Sequence, residues 1–133
     1  MKIIKTIAKF VLSAILIMPI LGTLGIFPAP TADMYTNPDA FTFIQAITVS
    51  GYIMPMMAIV FFAALISLWT KREALAGLLL LPVTLNIVGF HAFLDGGLLT
   101  SGALMGNILL VLNLCLFWHH KDQIAPLVQP RTS

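Results

Sequence analysis

Four long apolar stretches constrain this chain more than any other feature. They cover about residues 7–27, 41–70, 74–94 and 98–118, and Lys9 is their only charged residue. Each reaches the roughly 20 residues that a helix needs to cross a hydrocarbon core about 30 Å thick. The sequence therefore predicts an all-α integral membrane protein with four transmembrane helices.

The composition excludes several classes of protein. Apolar residues make up 59% of the chain and charged residues 9%, whereas about a quarter of a soluble domain is charged. The 133 residues suffice for one domain, 1–133, and the net charge of +2 forms no basic patch for nucleic acid. Cys115 is the only cysteine, so an intrachain disulfide and a Cys-x-x-Cys redox pair are both excluded.

The connections between the stretches define the expected fold. Residues 41–70 are too many for one crossing, so we predict the second helix at about 46–69 and an outer loop at about 28–45, where prolines and aspartates gather. The other connections are short, which predicts an up-down-up-down four-helix bundle. The proline-bearing residues 123–133 are expected to form a frayed tail.

The charges predict the orientation of this bundle. In this topology all seven basic residues fall on one side, namely Lys2, Lys5, Lys9, Lys71, Arg72, Lys121 and Arg131. The opposite side carries only Asp33, Asp39 and Asp95. Basic residues are enriched in cytoplasmic loops, so both termini are predicted to be cytoplasmic.

A competing interpretation makes the first stretch a cleaved signal peptide. It has a basic start, an apolar run and small residues near Ala32. The run is longer than the 7 to 15 residues typical of a signal core, and Pro28 and Pro30 crowd the cleavage region. We therefore expect the first helix to be retained, and N-terminal sequencing would decide between the two.

Few polar side chains lie within the predicted helices. None of them is charged at mid-membrane depth, which argues against an ion path or a proton relay. His91 and Asp95 are four residues apart and share a helix face near the outer end. Two interpretations stay open: the pair holds a ligand such as a quinone carbonyl, or it is structural. His119 and His120 lie at the other end of the bundle, which excludes bis-histidine haem ligation within the chain.

Three asparagines and two glycines bear on how the helices pack. Asn86, Asn107 and Asn113 are expected to hydrogen-bond between helices, and Asn86 has the alternative of lining a ligand pocket. Gly102 and Gly106 have the Gly-x-x-x-Gly spacing that lets helices approach closely, within the bundle or between copies.

The segment from Leu79 to Asp95 resembles the third helix of the DoxX-like family of small bacterial membrane proteins. The resemblance lies in an apolar run followed by Pro82, Asn86 and the Phe90-His91 pair, in that order. A Ser-Gly-Tyr segment at 50–52 and Met-Pro at 54–55 extend it loosely.

This resemblance implies a four-helix protein of the bacterial inner membrane, in a family named after a subunit of a thiosulfate:quinone oxidoreductase. Family members often carry a lysine and a glutamate where this chain has Ala58 and Phe61. We therefore expect a membrane component or partner subunit that is not an enzyme by itself, contacting the lipid bilayer and either a membrane or redox partner or a second copy. The alternative is a quinone-linked redox subunit that binds the quinone through His91, Asp95 and Asn86. No catalytic residue, metal ligand or further cofactor is predicted.

Overall fold

The structure is a computed structural model that describes residues 1–132, and over that range the chain is all-helical. Six α-helices and one short 3₁₀ turn at Ala32–Met34 account for its regular structure. The helices are α1 (Lys2–Thr23), α2 (Pro38–Ser50), α3 (Ile53–Trp69), α4 (Glu73–Phe93), α5 (Ala103–His119) and α6 (Lys121–Val128). The predicted all-α class is confirmed.

Helix α2 corrects the predicted outer loop, because it begins at Pro38 within residues 28–45. Asn37 caps the helix: its side-chain oxygen accepts the N–H of Asp39 at 3.1 Å. Pro38 occupies the first helical position, where its missing N–H costs nothing. The proline and asparagine taken for loop chemistry are thus helix-start signals, and the loop proper covers residues 24–37.

The predicted single helix over residues 46–69 is also wrong. It is broken between α2 and α3, whose axes are bent by 86°. The break falls at Gly51, which ends α2 with φ of 75°, a left-handed conformation that glycine adopts without steric cost. The axes of α5 and α6 are likewise bent by 82°. Because α6 extends to Val128, residues 123–128 of the predicted frayed tail are helical.

Two helices are long and apolar enough to cross a membrane by themselves, α1 and α4. The number rises to four if α2 with α3, and α5 with α6, each count as one bent span. Helices α3 and α5 have 17 residues each. At about 1.5 Å per residue each is about 25 Å long, a little less than a typical hydrocarbon core.

The core lies where α1, α3, α4 and α5 meet. Helix α1 packs on α3, α3 on α4 and α4 on α5, while α5 also contacts α1. All four helices contribute buried apolar side chains, namely Leu12, Leu16, Phe61, Ala64, Leu68, Ala76, Leu80 and Leu109. One buried polar contact joins two of them, because the Asn113 amide donates to the carbonyl oxygen of Gly77 at 3.0 Å.

Polar contacts gather at the two ends of this helix group. At one end, called the basic end, the Lys9 ammonium contacts the Glu73 carboxylate at 2.9 Å and the Lys5 ammonium lies 2.7 Å from His119 Nε2. His91 and Asp95 lie at the other end of α4. The 18 residues from Glu73 to His91 correspond to about 27 Å of helix, so the basic end and the His91 pair are far apart.

Candidate functional site

The chain turns sharply where α4 ends, and this turn brings Asp95 back towards His91. Helix α4 ends at Phe93, and the amide of Gly97 then donates to the carbonyl oxygen of His91 at 2.8 Å. Gly96 has φ of 86°, and a Cβ there would lie 2.9 Å from Thr36 Cγ2. Only glycine fits position 96, both for its backbone conformation and for the closeness of the loop.

Asp95 is 2% exposed, and each oxygen of its carboxylate has a partner. Oδ2 lies 3.0 Å from His91 Nδ1, and Oδ1 accepts the backbone N–H of Thr36 at 2.8 Å. A carboxylate only accepts hydrogen bonds, so His91 donates from Nδ1 and its Nε2 carries the lone pair when the ring is neutral. This arrangement leaves Nε2 as the atom of the pair that can meet a ligand.

Aromatic rings from three segments surround the end of α4. Tyr35 lies edge-on to Phe90 with centroids 6.1 Å apart, and Phe43 of α2 stacks on Phe90 at 5.9 Å. Burial raises the pKa of the Tyr35 phenol, and the negative charge of Asp95 raises it further. Together with the Thr36 contact, these rings hold residues 35–43 over the end of α4.

The imidazole of His91 packs against Gly102, which precedes α5, and against Gly106 within α5. A Cβ at Gly102 would lie 3.5 Å from His91 Cε1, and one at Gly106 would lie 3.7 Å from His91 Cδ2. The same Cβ at Gly106 would lie 3.0 Å from Ile87 Cγ2. The Gly-x-x-x-Gly spacing is therefore used inside the chain, where it lets α5 approach α4 and makes room for the ring.

A cavity of about 220 Å³ adjoins this contact on the side towards α1. Its walls are entirely apolar apart from backbone, and all four core helices contribute to them. They are formed by Ile15, Met18, Pro19, Phe61, Ile87, Met105, Gly106 and Leu109. Gly106 thus lies between the cavity and His91, and a cavity of this size is larger than those of about 150 Å³ that hold a benzene ring.

The structure brings His91 and Asp95 together but leaves Asn86 apart from them. Five residues correspond to about 140° around a helix, and Asn86 is exposed on the outer face of α4. Its side chain makes no hydrogen bond to residues 1–132. The other asparagines are bonded, Asn113 to Gly77 as described and Asn107 to the carbonyl oxygen of Leu98 at 2.8 Å.

Two members of the site were not found from the sequence. Thr36 contributes a backbone N–H, which every residue but proline carries, so its identity gave no indication. Tyr35 comes from a loop whose position over α4 depends on the tertiary fold. Among residues 1–132, no three His, Cys, Asp or Glu side chains lie close enough to hold a metal ion.

Fold and site together define a class: an all-α protein with two to four apolar helices of membrane-spanning character, and with a half-buried histidine paired to a buried aspartate near an apolar cavity. Comparison of the chain with protein-family models, curated proteins and solved structures finds no match.

Proposed function

We propose that the chain is a multi-pass membrane protein that crosses the bilayer four times as an up-down-up-down bundle with both termini in the cytoplasm. The observation that carries this proposal is that basic residues and Asp95 lie at opposite ends of the helix group. Lys5 and Lys9 lie at the basic end, whereas Asp95 lies about 27 Å away at the other end. Basic residues favour the cytoplasmic side, so the basic end would face the cytoplasm.

Within that bilayer, we propose that the protein acts as a non-catalytic component that packs against other membrane proteins. No charged side chain of α1, α3, α4 or α5 lies between the basic end and the His91–Asp95 pair, so there is no ready path for ions or protons. Many large apolar side chains are exposed on the outer surface of α1, α3 and α5, among them Ile7, Phe10, Ile59, Phe62 and Leu114. Lipid tails and the helices of other membrane proteins can pack equally well against such a surface. We further propose that the resemblance reflects membership of the DoxX-like family and residence in a bacterial inner membrane.

The topology is tested by cysteine accessibility in a Cys115→Ser background. Ser101→Cys, in the turn before α5, should react with a membrane-impermeant maleimide on intact cells. Gln129→Cys, just after α6, is the matched control and should react only after the cells are permeabilised. Labelling of Gln129→Cys on intact cells would contradict the proposed orientation.

A quinone-linked role is the second candidate, and the His91–Asp95 pair beside the cavity supports it. A quinone ring is apolar on its faces and could enter a 220 Å³ cavity. The hydroxyl of the reduced quinol could donate to Nε2 of neutral His91, whereas a quinone carbonyl could accept from Nε2 only when the ring is protonated. Asn86, which the sequence analysis included among the quinone-binding residues, is left out of this candidate site because it faces outwards. Redox turnover would require a partner protein as electron donor.

Extraction of quinone distinguishes the two candidates. The protein is purified in native lipid, and bound quinone is measured for the original chain, for His91→Ala and for the control His119→Ala at the basic end. Quinone retained by the original and by His119→Ala but lost from His91→Ala supports the redox candidate. If no sample retains quinone, the quinone-linked role is rejected and the non-catalytic component stands.

A further inference from the structure

Asn86 is the one asparagine of the described helices whose side chain has no hydrogen-bond partner in residues 1–132. It is 13 residues from Glu73 and 7 from Phe93, which puts it about 20 Å and about 10 Å from the two ends of α4. In a protein that crosses the bilayer, this depth is hydrocarbon. An unpaired amide there is unfavourable, and such groups usually bond across to another helix.

The face of α4 around Asn86 is shaped for such a helix. Pro82, Asn86, Gly89 and Phe93 follow at spacings of four, three and four residues, so they form one stripe on the outer surface. We call these four residues the Asn86 stripe. Phe93 is 88% exposed, and a Cβ at Gly89 would meet nothing within 4 Å. The stripe therefore presents the exposed ring of Phe93 beside an open space at Gly89.

Pro82 leaves a backbone carbonyl on the same face of α4 without its usual donor. Proline has no N–H, so the carbonyl oxygen of Leu78 lacks its usual helical donor four residues on. Residues four apart share a face, so this carbonyl lies towards the exposed side where Pro82 is found. Two acceptors and one donor group are thus presented to hydrocarbon on one helix face.

We propose that the Asn86 stripe is the contact surface for a second copy of this chain, in which the two Asn86 side chains hydrogen-bond to each other. The inference rests on the proposed membrane crossing. Copies inserted with the same topology are parallel, so a two-fold axis along the membrane normal brings Asn86 to the same depth in both. A carboxamide both donates and accepts, so the pair satisfies itself.

Other surfaces of the chain do not offer this combination. The close-packing glycines of α5 are occupied by His91 and Ile87 of the same chain. The exposed sides of α1 and α3 present apolar side chains that lipid tails solvate as well as a protein would, for example Ile7 and Ile59. A partner is needed only where a polar group is unpaired.

Cysteine cross-linking in native membranes tests this contact. In a Cys115→Ser background, Gly89→Cys lies beside Asn86 and has space for its side chain. Leu104→Cys on α5 is the matched control: it is 59% exposed and, since Gly106 packs on Ile87, lies at a similar depth. With copper phenanthroline as oxidant, Gly89→Cys should give a product of twice the monomer mass, and Leu104→Cys should not.

Variants at Asn86 test the hydrogen bond itself. The Asn86 side chain makes no hydrogen bond within residues 1–132, so Asn86→Leu should leave the monomer folded. Asn86→Leu should weaken the dimer about 3- to 30-fold, measured by energy transfer between labelled copies as the lipid-to-protein ratio rises in vesicles. Asn86→Gln keeps a carboxamide and should restore most of the association.

Equal cross-linking at both positions, a Gly89→Cys product with a different protein, or unchanged association of Asn86→Leu would each overturn the proposal. These outcomes are distinct from failure of the membrane topology. The Ser101→Cys and Gln129→Cys labelling reports insertion whether or not copies associate. A correctly inserted monomer would thus reject the dimer alone.

Discussion

At the residue scale, Asp95 is the most constrained polar group of the described chain. Its carboxylate joins three segments that are remote in sequence or structure: the end of α4, the loop at Thr36 and, through His91, the glycine face of α5. Charge-assisted hydrogen bonds of this kind are roughly twice as strong as neutral ones. The His91–Asp95 pair therefore stabilises the fold whether or not it also binds a ligand. Both the structural and the ligand-binding interpretation of the pair are compatible with these contacts.

Replacement of Asp95 should separate the structural from the ligand role. Asp95→Ala leaves the Thr36 N–H and His91 Nδ1 unpaired, so we expect a loss of about 1–3 kcal/mol in the free energy of unfolding. Asp95→Asn can bond to both partners if His91 moves its proton to Nε2, and should lose less. Denaturation in mixed micelles measures both variants. Asp33→Ala, at an exposed position, is the control and should leave the unfolding midpoint close to that of the original chain.

Tyr35 should make the protein less stable at alkaline pH. Its pKa is raised in the folded state by burial and by the charge of Asp95, so the unfolded chain loses the phenolic proton first. The stabilisation of the protonated phenol is complete below the ordinary tyrosine pKa of about 10 and is lost as pH rises through the higher folded pKa. Unfolding midpoints measured from pH 8 to 11 should fall less steeply for Tyr35→Phe. Identical slopes would show that Tyr35 does not contribute.

At the scale of elements, close packing of α4 on α5 depends on one glycine. Gly106 faces Ile87, whose β-branched side chain is stiff in a helix and cannot turn away from an added methyl group. The bends at Gly51 and after α5 are also element-scale features, since they divide two long apolar stretches into helices with different directions. Apolar length alone did not indicate where those divisions fall.

Alanine substitutions at two glycines of the core helices should have opposite effects. Gly106→Ala puts a Cβ 3.0 Å from Ile87 Cγ2, so we expect about 1 kcal/mol of destabilisation despite the better helix propensity of alanine. Gly89→Ala meets nothing within 4 Å and should be neutral or stabilising by up to about 1 kcal/mol. Thermal unfolding of both variants in one detergent checks the difference, and equal midpoints would contradict the tight approach of α5 to α4.

At the scale of the whole molecule, α1 is an integral part of the core. Leu12 and Leu16 are buried, and the Ser13 hydroxyl accepts the indole N–H of Trp69 at 2.9 Å. Lys9 also reaches Glu73 of α4. Removal of α1 would expose the apolar surface of α3 that it covers and would leave the Trp69 indole without its partner.

We therefore predict that the first helix is retained in the mature protein. Loss of α1 would open the packing around Leu12 and Leu16, and each buried leucine contributes several kcal/mol to such cores. Intact mass measurement of protein purified from membranes should find α1 attached. A mature chain beginning near Asp33 would contradict the prediction and support the signal-peptide interpretation.

The sequence by itself determined the helical character of the chain, the extent of α4 within one residue, and the shared face of His91 and Asp95. These follow from local properties: apolar length, the charge at helix ends and the four-residue helical spacing. The tertiary structure alone decided the contact of Asp95 with Thr36, 59 residues away, the bend at Gly51, and the outward position of Asn86. A uniformly apolar helix has no polar face to mark its inner side, so only packing against its neighbours determines which residues it buries.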